Sequence, residues 1–373
     1  MYTTWIELNA SALKHNSEQV ISTIGPAVTL GFVVKGNAYG HGLAEIITIA
    51  RTCPAIGYYF VAALPEALEL RAWGITQPIC AMVPVESDCL EEAITQEISC
   101  VCAGPASLAL LARTAQHVGK PALVHIKIDT GLSRLGACPS EALGFCEAIF
   151  KNKWLKVTGV MTHLANIVSD DITRAHEQLR CFDETCARLK KAGYTWEHTH
   201  ACASGSVMYK RNDSLVRVGT TLYGYWKSPA QKARLLAEHP AITLQPVLSW
   251  KTRIWEIRDI AAGNYVGYGE TFYTKQPMRI AILPVGYADG YPRDLSNQGV
   301  VMVRGQYAPI VGRVSMNLAA IDITHVPEAL PSDEVLLLGS AEKVTADAIA
   351  EKTQTINLDI LTHIGSHISR IIA

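Results

Sequence analysis

Between about residues 28 and 225, eight short apolar runs recur, each separated from the next by a stretch with helical spacing. The runs are VTLGFVV, YYFVAA, PICAMV, ISCVC, ALVHIKID, VTGVMTH, HTHACA and LVRVG. They have the length of strands and are too apolar for a sheet with one face in water. Over 173–191, Ala175, Leu179, Phe182, Cys186 and Leu189 follow at steps of four, three, four and three, which is one face of a helix. Eight strand–helix units, with strands covered on both sides, predict an α/β protein built on a parallel (β/α)8 TIM-like barrel. An open doubly wound sheet is the alternative. It would gather its binding residues at one switch point, whereas here candidates follow many strands.

Past about residue 240 the repeat stops. PVLSWKTRIWEI, RIAILPVG, GVVMVRG and EVLLLGS read as strands, separated by turn residues such as Arg304-Gly305 and Pro331-Ser332-Asp333, with one helix near 344–353. This predicts a barrel over 1–236 followed by a smaller β-rich domain over 237–373, divided around KARLLAEHPAIT. A formal net charge of −1 leaves no basic stripe for nucleic acid. No apolar run approaches the roughly 20 residues of a membrane span, and the opening MYTTWIELNASALKHN lacks the apolar centre of a signal peptide. A cytoplasmic protein is expected. The ten cysteines, Cys53 to Cys202, contain no CxxC, so buried reduced thiols are expected. His198 and His200 share a strand face but have no evident third and fourth ligand, so no metal is expected.

In a barrel of this kind, chemistry sits where strands end. The first run leads into Lys35, Gly36, Asn37, Ala38, Tyr39, Gly40, His41 and Gly42; a lysine there could form a Schiff base with a cofactor aldehyde. The fifth run leads into Lys127, Asp129, Gly131 and Arg134, and the sixth ends at His163. The seventh leads to Ser204-Gly205-Ser206 and the eighth to Arg217, Gly219 and Thr220. Loops seven and eight are the usual phosphate site of the fold. A lysine after strand one with small-residue loops after strands seven and eight suits a cofactor bearing an aldehyde and a phosphate.

With these residues in place, the chain resembles the alanine racemase family of pyridoxal-phosphate enzymes, fold type III. The carrying motif is VVKGNAYGHG around Lys35. KIDTGLSRLG (127–136), GVMTHLA (159–165), LVRVGTTLYG (215–224), VGYGETF (266–272), VGYADGYPR (285–293) and VGRVSMN (311–317) follow in the family's order. The resemblance implies pyridoxal 5'-phosphate as cofactor, an amino acid as substrate, and a head-to-tail homodimer with shared active sites. It implies Lys35 as cofactor anchor and one catalytic base, with Tyr268 from the partner subunit as the other. Tyr39, Ser204, Gly219 and Thr220 match phosphate contacts, Arg217 the partner of the pyridine nitrogen, and His163 the residue beside the ring. Arg134, Met316 and Tyr287 match the substrate side, and Lys127 matches a lysine often carbamylated in the family.

The chain also departs from the family pattern. The usual HxxNS is His200-Ala201-Cys202-Ala203-Ser204, Met-Asp is Met316-Asn317, and a late tyrosine is replaced by Asn357 or Leu358. Losing that ring opens room beside Cβ and suggests serine as well as alanine. The resemblance is then to the racemase domains of the membrane-bound serine racemases of vancomycin resistance, which supply D-amino acids for peptidoglycan precursors. Met1, just before the first racemase motif, is compatible with a cytoplasmic domain of such a membrane-anchored protein. A housekeeping alanine racemase is the alternative. A non-catalytic pyridoxal-phosphate carrier would lack the β domain and Tyr268. A decarboxylase of the same fold type would need a carboxylate in place of Arg217 and usually a late cysteine, and no cysteine follows 202.

Overall fold

The structure, a computed structural model, describes residues 3–83, 88–207, 211 and 213–373; Met1 lies outside them. The chain forms two compact units. One comprises Lys14–Gly36 and Ala50–Leu244; the other comprises Met1–Leu13, Asn37–Ile49 and Gln245–Ala373. The units are therefore not the two linear halves: the first strand, β1 (Thr4–Leu8), belongs with the C-terminal sheet.

The next eight strands build the first unit: β2 (Thr29–Val33), β3 (Ile56–Val61), β4 (Ile79–Ala81), β5 (Ser99–Cys102), β6 (Ala122–Lys127), β7 (Leu155–Met161), β8 (His198–His200) and β9 (Leu215–Val218). Each overlaps one of the eight apolar runs, β3 and β7 starting two residues ahead of theirs. They form an eight-stranded sheet in the order β8-β7-β6-β5-β4-β3-β2-β9, with every neighbouring pair parallel. A parallel bridge between Ala203 and Arg217, with Arg217 N donating to Cys202 O at 3.0 Å, closes it into a barrel. The helix Thr173–Lys191 buries the five apolar residues expected of its inner face, together with Gln178 and Thr185. Burying Leu179, Phe182 and Leu189 contributes about 1.5–3 kcal/mol each.

The barrel interior departs from the branched aliphatic filling usual for the fold. Tyr58 stacks on Phe60 at 4.8 Å between ring centroids, and His125 meets His200 edge-on at 4.9 Å. Two glycines make room for these rings. A Cβ on Gly31 would lie 2.5 Å from the Phe60 ring, and one on Gly159 would lie 2.7 Å from His125 Nδ1.

In the second unit, β1 lies antiparallel to β10 (Leu248–Arg253) and parallel to the chain's last strand. After β11 (Glu256–Ile260), β12 (Met278–Leu283), β13 (Val300–Val303), β14 (Gln306–Pro309), β15 (Ala319–Asp322), β16 (Glu334–Leu338) and β17 (Ser369–Ile372), the sheets are β14-β13-β16-β10-β1-β17 and β11-β12-β15. The β13–β14 hairpin turns on Arg304 and Gly305, both at positive φ (48° and 76°), as a two-residue hairpin turn of the favoured hand requires. Among the described residues no helix is long and apolar enough to cross a membrane.

Candidate active site

Alternate residues of a strand face the same way, which puts Lys127 in phase with His125; Lys35 opens the turn Lys35–Tyr39, two residues past the end of β2. Lys35 follows the end of β2, where Val34 N donates to Phe60 O at 2.8 Å. Glu66, in the helix Leu64–Ala72, ties this end to the next strand. One carboxylate oxygen accepts from Gly36 N at 2.8 Å and the other from Ala62 N at 2.7 Å. Desolvation, and then the Arg134 charge, push the Lys35 ammonium below the ordinary lysine range, while Glu66 opposes them. A lysine so placed reaches its neutral, nucleophilic form at lower pH than a free one.

The turn that begins at Lys35 is left-handed. Gly36, Asn37, Ala38, Tyr39 and Gly40 all have positive φ, from 52° to 82°. Three of them are not glycine, at a cost of about 1–2 kcal/mol each. Local hydrogen bonds offset part of it: Leu43 N donates to Asn37 Oδ1 at 2.8 Å, and Gly42 N to Asn37 O at 3.0 Å. Gly40 is obligatory, since a Cβ there would lie 1.9 Å from Leu361 O. Tyr39 sits on this turn, and burial pushes its hydroxyl up to about 12.

After β6 the chain doubles back. Asp129 accepts from the backbone N–H groups of Gly131, Leu132 and Ser133 through Oδ1 and from Arg134 through Oδ2, at 2.9–3.1 Å. Gly136 lets the loop close on the strand: its Cβ would lie 2.7 Å from Asp129 N. This holds the exposed Arg134 in sequence with the buried Lys127. Burial first, then Arg134 and Arg217, lower the Lys127 ammonium to about 8.

Arg217, buried on β9, is the hub of the barrel end. Its Nη1 donates to His200 Nδ1 at 2.6 Å and His200 O at 2.8 Å; Nη2 donates to Thr162 O at 2.7 Å and reaches His163 Nδ1 at 3.5 Å. Burial, then the Arg217 charge, lower His163 to about 3, so its ring is neutral. Beside it Gly219 N donates to Ser204 Oγ at 2.9 Å, and Gln231 Nε2 to Ser204 O at 2.9 Å. Thr220 Oγ1 is buried with no partner among the described residues. An orphaned hydroxyl beside Gly219 and Ser204, on a barrel end that carries Lys35, Lys127, Arg134 and Arg217, fits an anionic phosphate-bearing group.

The second unit presents the other expected residues. Tyr268 is 74% exposed on a turn whose flanking Gly267 and Gly269 have φ of 79° and 72°. The turn is supported by a small core of Val266, Met278, Ile280 and Val311. VGYADGYPR and VGRVSMN lie backbone to backbone: Tyr287 N donates to Ser315 O at 3.1 Å and Ala288 N to Met316 O at 2.9 Å. A Cβ on Gly286 would lie 2.2 Å from Ser315 O, which is why glycine precedes Tyr287. Tyr287 and Met316 are exposed. Asn357, the first residue of the helix Asn357–Thr362, is buried and donates to Asp347 Oδ1 at 2.7 Å; Leu358 is half-buried.

Sequence reasoning did not single out Glu66, Gln231 or the acceptor role of Asp129. The last had a signal, an aspartate two residues before a glycine at a strand end. His200, the first residue of the HxxNS-like stretch, accepts from Arg217, a role that the sequence reading did not give it. All ten cysteines are free thiols, and seven of them, Cys53, Cys80, Cys100, Cys102, Cys146, Cys186 and Cys202, are buried, while Cys138 is exposed.

Residues 8–227 match the family model described as alanine racemase, N-terminal domain, and residues 247–372 the model for its C-terminal domain. An alanine racemase of Syntrophobacter fumaroxidans is 39% identical over 370 residues, covering 98% of this chain and 96% of that protein. The solved alanine racemase of Clostridium difficile 630 superposes with a TM-score of 0.93 at 27% identity, covering 100% of this chain and 96% of that one. An alanine racemase from Bartonella henselae with covalently bound pyridoxal phosphate gives a TM-score of 0.86 at 27% identity, with both chains fully covered.

Proposed function

Since the chain belongs to the alanine racemase family, we propose that it interconverts L- and D-alanine with pyridoxal 5'-phosphate held on Lys35. The observation that carries the reading is the placement of Lys35, Arg217 and the unpartnered Thr220 hydroxyl at strand ends of one barrel. When bound, the cofactor supplies an electron sink that acidifies the substrate Cα–H. Ser204, Gly219, Thr220 and Tyr39 would hold its phosphate and His163 would lie beside its ring. Arg217 can only donate, so it would keep the ring nitrogen unprotonated. Lys35 moves the proton on one face of Cα and Tyr268 on the other, while Arg134, Met316 and Tyr287 meet the substrate. The test is enantiomer-resolved turnover of L-alanine by the cofactor-loaded protein; no D-alanine formed would overturn it.

We also infer a homodimer in which each barrel receives the partner's Tyr268. Tyr265, Tyr268, Tyr273, Met316 and Leu318 are large side chains left exposed in the second unit, and a partner subunit would cover them.

Lys127 is proposed to carry a carbamate that would hold Arg134. The reaction consumes a neutral amine and CO2 and releases a proton. With the ammonium lowered to about 8, roughly one lysine in ten is neutral at pH 7, against fewer than about one in a thousand for an ordinary lysine. Carbamylation should therefore rise between pH 6 and 8. A 13C carbamate signal in 13C-bicarbonate, absent from Lys127→Ala, is the expected result; a signal surviving that substitution would reject the assignment.

A second reading, serine turnover in the manner of the vancomycin-resistance racemases, rests on the residues at 357 and 358. The names of the relatives favour alanine. Yet a pocket without the usual ring discriminates the two by about 100-fold or less. Asn357→Tyr and Leu358→Tyr should each be made, because the register leaves either as the replacement. One of them should lower the serine-to-alanine ratio of kcat/KM by about 10-fold. An unchanged ratio in both would place any serine activity elsewhere. A parent enzyme inert to serine would leave alanine as the sole substrate of the two.

A further inference from the structure

Behind Arg217 runs a line of side chains, all nine-tenths or more buried, that the reaction does not use. His200 Nε2 is 2.8 Å from His125 Nδ1, His125 Nε2 is 3.0 Å from Tyr58 Oη, and Tyr58 Oη is 3.4 Å from Ser99 Oγ. His200 and His125 are fully buried, and Arg217, Tyr58 and Ser99 are 2–3% exposed.

The direction of every proton in this line is fixed from one end. Arginine has donors only. His200 Nδ1, 2.6 Å from Arg217 Nη1, must therefore present a lone pair. A neutral His200 then carries its proton on Nε2 and donates to His125 Nδ1. His125 in turn carries its proton on Nε2 and donates to Tyr58, whose own O–H is left to Ser99. The reverse order would put two protons between Arg217 and His200. An imidazolium at His125 would leave His200 with no proton at all, and one at His200 would face Arg217 with an N–H. Burial holds both rings well below the ordinary histidine range, His125 at about 3.

We propose that His125 and Tyr58, ending on Ser99, are positioning residues that lock His200 in its Nε2–H tautomer and so fix the guanidinium of Arg217. Gly159 is part of the same device, because a Cβ there would lie 2.7 Å from His125 Nδ1 and displace the ring. Without the Tyr58 hydroxyl, His125 Nε2–H loses its acceptor. The opposite tautomer then becomes competitive, and it can propagate to His200 and turn an N–H toward Arg217.

Neutron diffraction from deuterium-exchanged crystals of the cofactor-loaded wild-type enzyme should show deuterium on Nε2, and not on Nδ1, of both His200 and His125. Deuterium on His200 Nδ1, or on both nitrogens of either ring, would overturn the proton order without reference to activity. The effect on turnover rests on the racemase reading. In Tyr58→Phe, kcat should fall about 5- to 10-fold with KM within twofold, the scale of one neutral hydrogen bond. The same crystals of the variant should show mixed tautomers. Wild-type turnover kept within twofold, or a lower kcat with the tautomers unchanged, would each reject the positioning role. Ser99→Ala, which removes only the last acceptor, should show the same effects more weakly if Tyr58→Phe does not fold. A wild-type enzyme that forms no D-alanine would sink the racemase reading and leave the proton order standing.

Discussion

Lys35→Ala is expected to lower alanine racemisation by at least about 10⁴-fold, the upper end of what a single positioned proton-transfer group contributes, because in the proposed site the same residue also anchors the cofactor. Lys35 follows β2 directly, with Glu66 fixing the next residue through Gly36 N at 2.8 Å, so its backbone is not free to move a neighbouring lysine into its place. Lys127 lies at the end of another strand, with its ammonium lowered to about 8, and is the natural competitor for the aldehyde. Borohydride reduction of the loaded protein, followed by peptide mapping, separates the two. The cofactor should be recovered on the peptide containing Lys35. Recovery on Lys127, or an active Lys35→Ala enzyme, would overturn the assignment. The lowered ammonium adds a sign: the neutral amine of Lys35 is reached at lower pH than in free lysine. Cofactor capture should therefore accelerate as pH rises and level off below the ordinary lysine value of ~10.4.

The strand-end position of Lys35 was legible because the eight runs are apolar enough to mark where the strands stop. The same logic recovers Lys127, His163 and Arg217. It fails for β1, whose partner β10 lies far along the chain, as the pairing of Ile6 with Trp250 shows. A strand that opens the chain ahead of a barrel repeat carries no local mark of a remote sheet. The left-handed turn is hidden for a different reason. Gly36 and Gly40 announce flexibility, but nothing about Asn37, Ala38 and Tyr39 predicts that all three adopt positive φ. Their conformation is imposed by tertiary contacts such as that of Gly40 with Leu361 O. His125 and Tyr58 sit inside apolar runs, where they read as filling. Only their phase with functional residues, His125 two positions before Lys127, carried a signal. The departures at Asn357 and Leu358 were plain in the sequence, but not that Asp347 holds the Asn357 amide.

Tyr268→Phe is expected to reduce racemisation by about 10²- to 10⁴-fold, the range for losing one positioned acid or base. The substitution removes a hydroxyl from an exposed ring on a turn set by Gly267 and Gly269, so folding should be spared. If Lys35 and Tyr268 serve opposite faces of Cα, the two losses must differ in kind. Tyr268 is proposed as the base that acts on the L-isomer. The phenylalanine variant should then fail to exchange the α-proton of L-alanine with solvent while Lys35 still exchanges that of D-alanine. Measuring deuterium uptake from each enantiomer separately checks this. Equal loss for both, with or without residual racemisation, would argue against opposed bases. The proposed sharing of sites between subunits gives a second and independent test. Lys35→Ala and Tyr268→Phe homodimers should each be strongly impaired, but on the proposed arrangement a mixed dimer holds one site in which both residues are native and one in which both are lost. Mixing after reversible dissociation should therefore restore up to about a quarter of wild-type activity, since half the dimers in a statistical mixture are mixed and each carries one working site of two. Mixed dimers that form and stay inactive would mean that Lys35 and Tyr268 act within one subunit or not together at all.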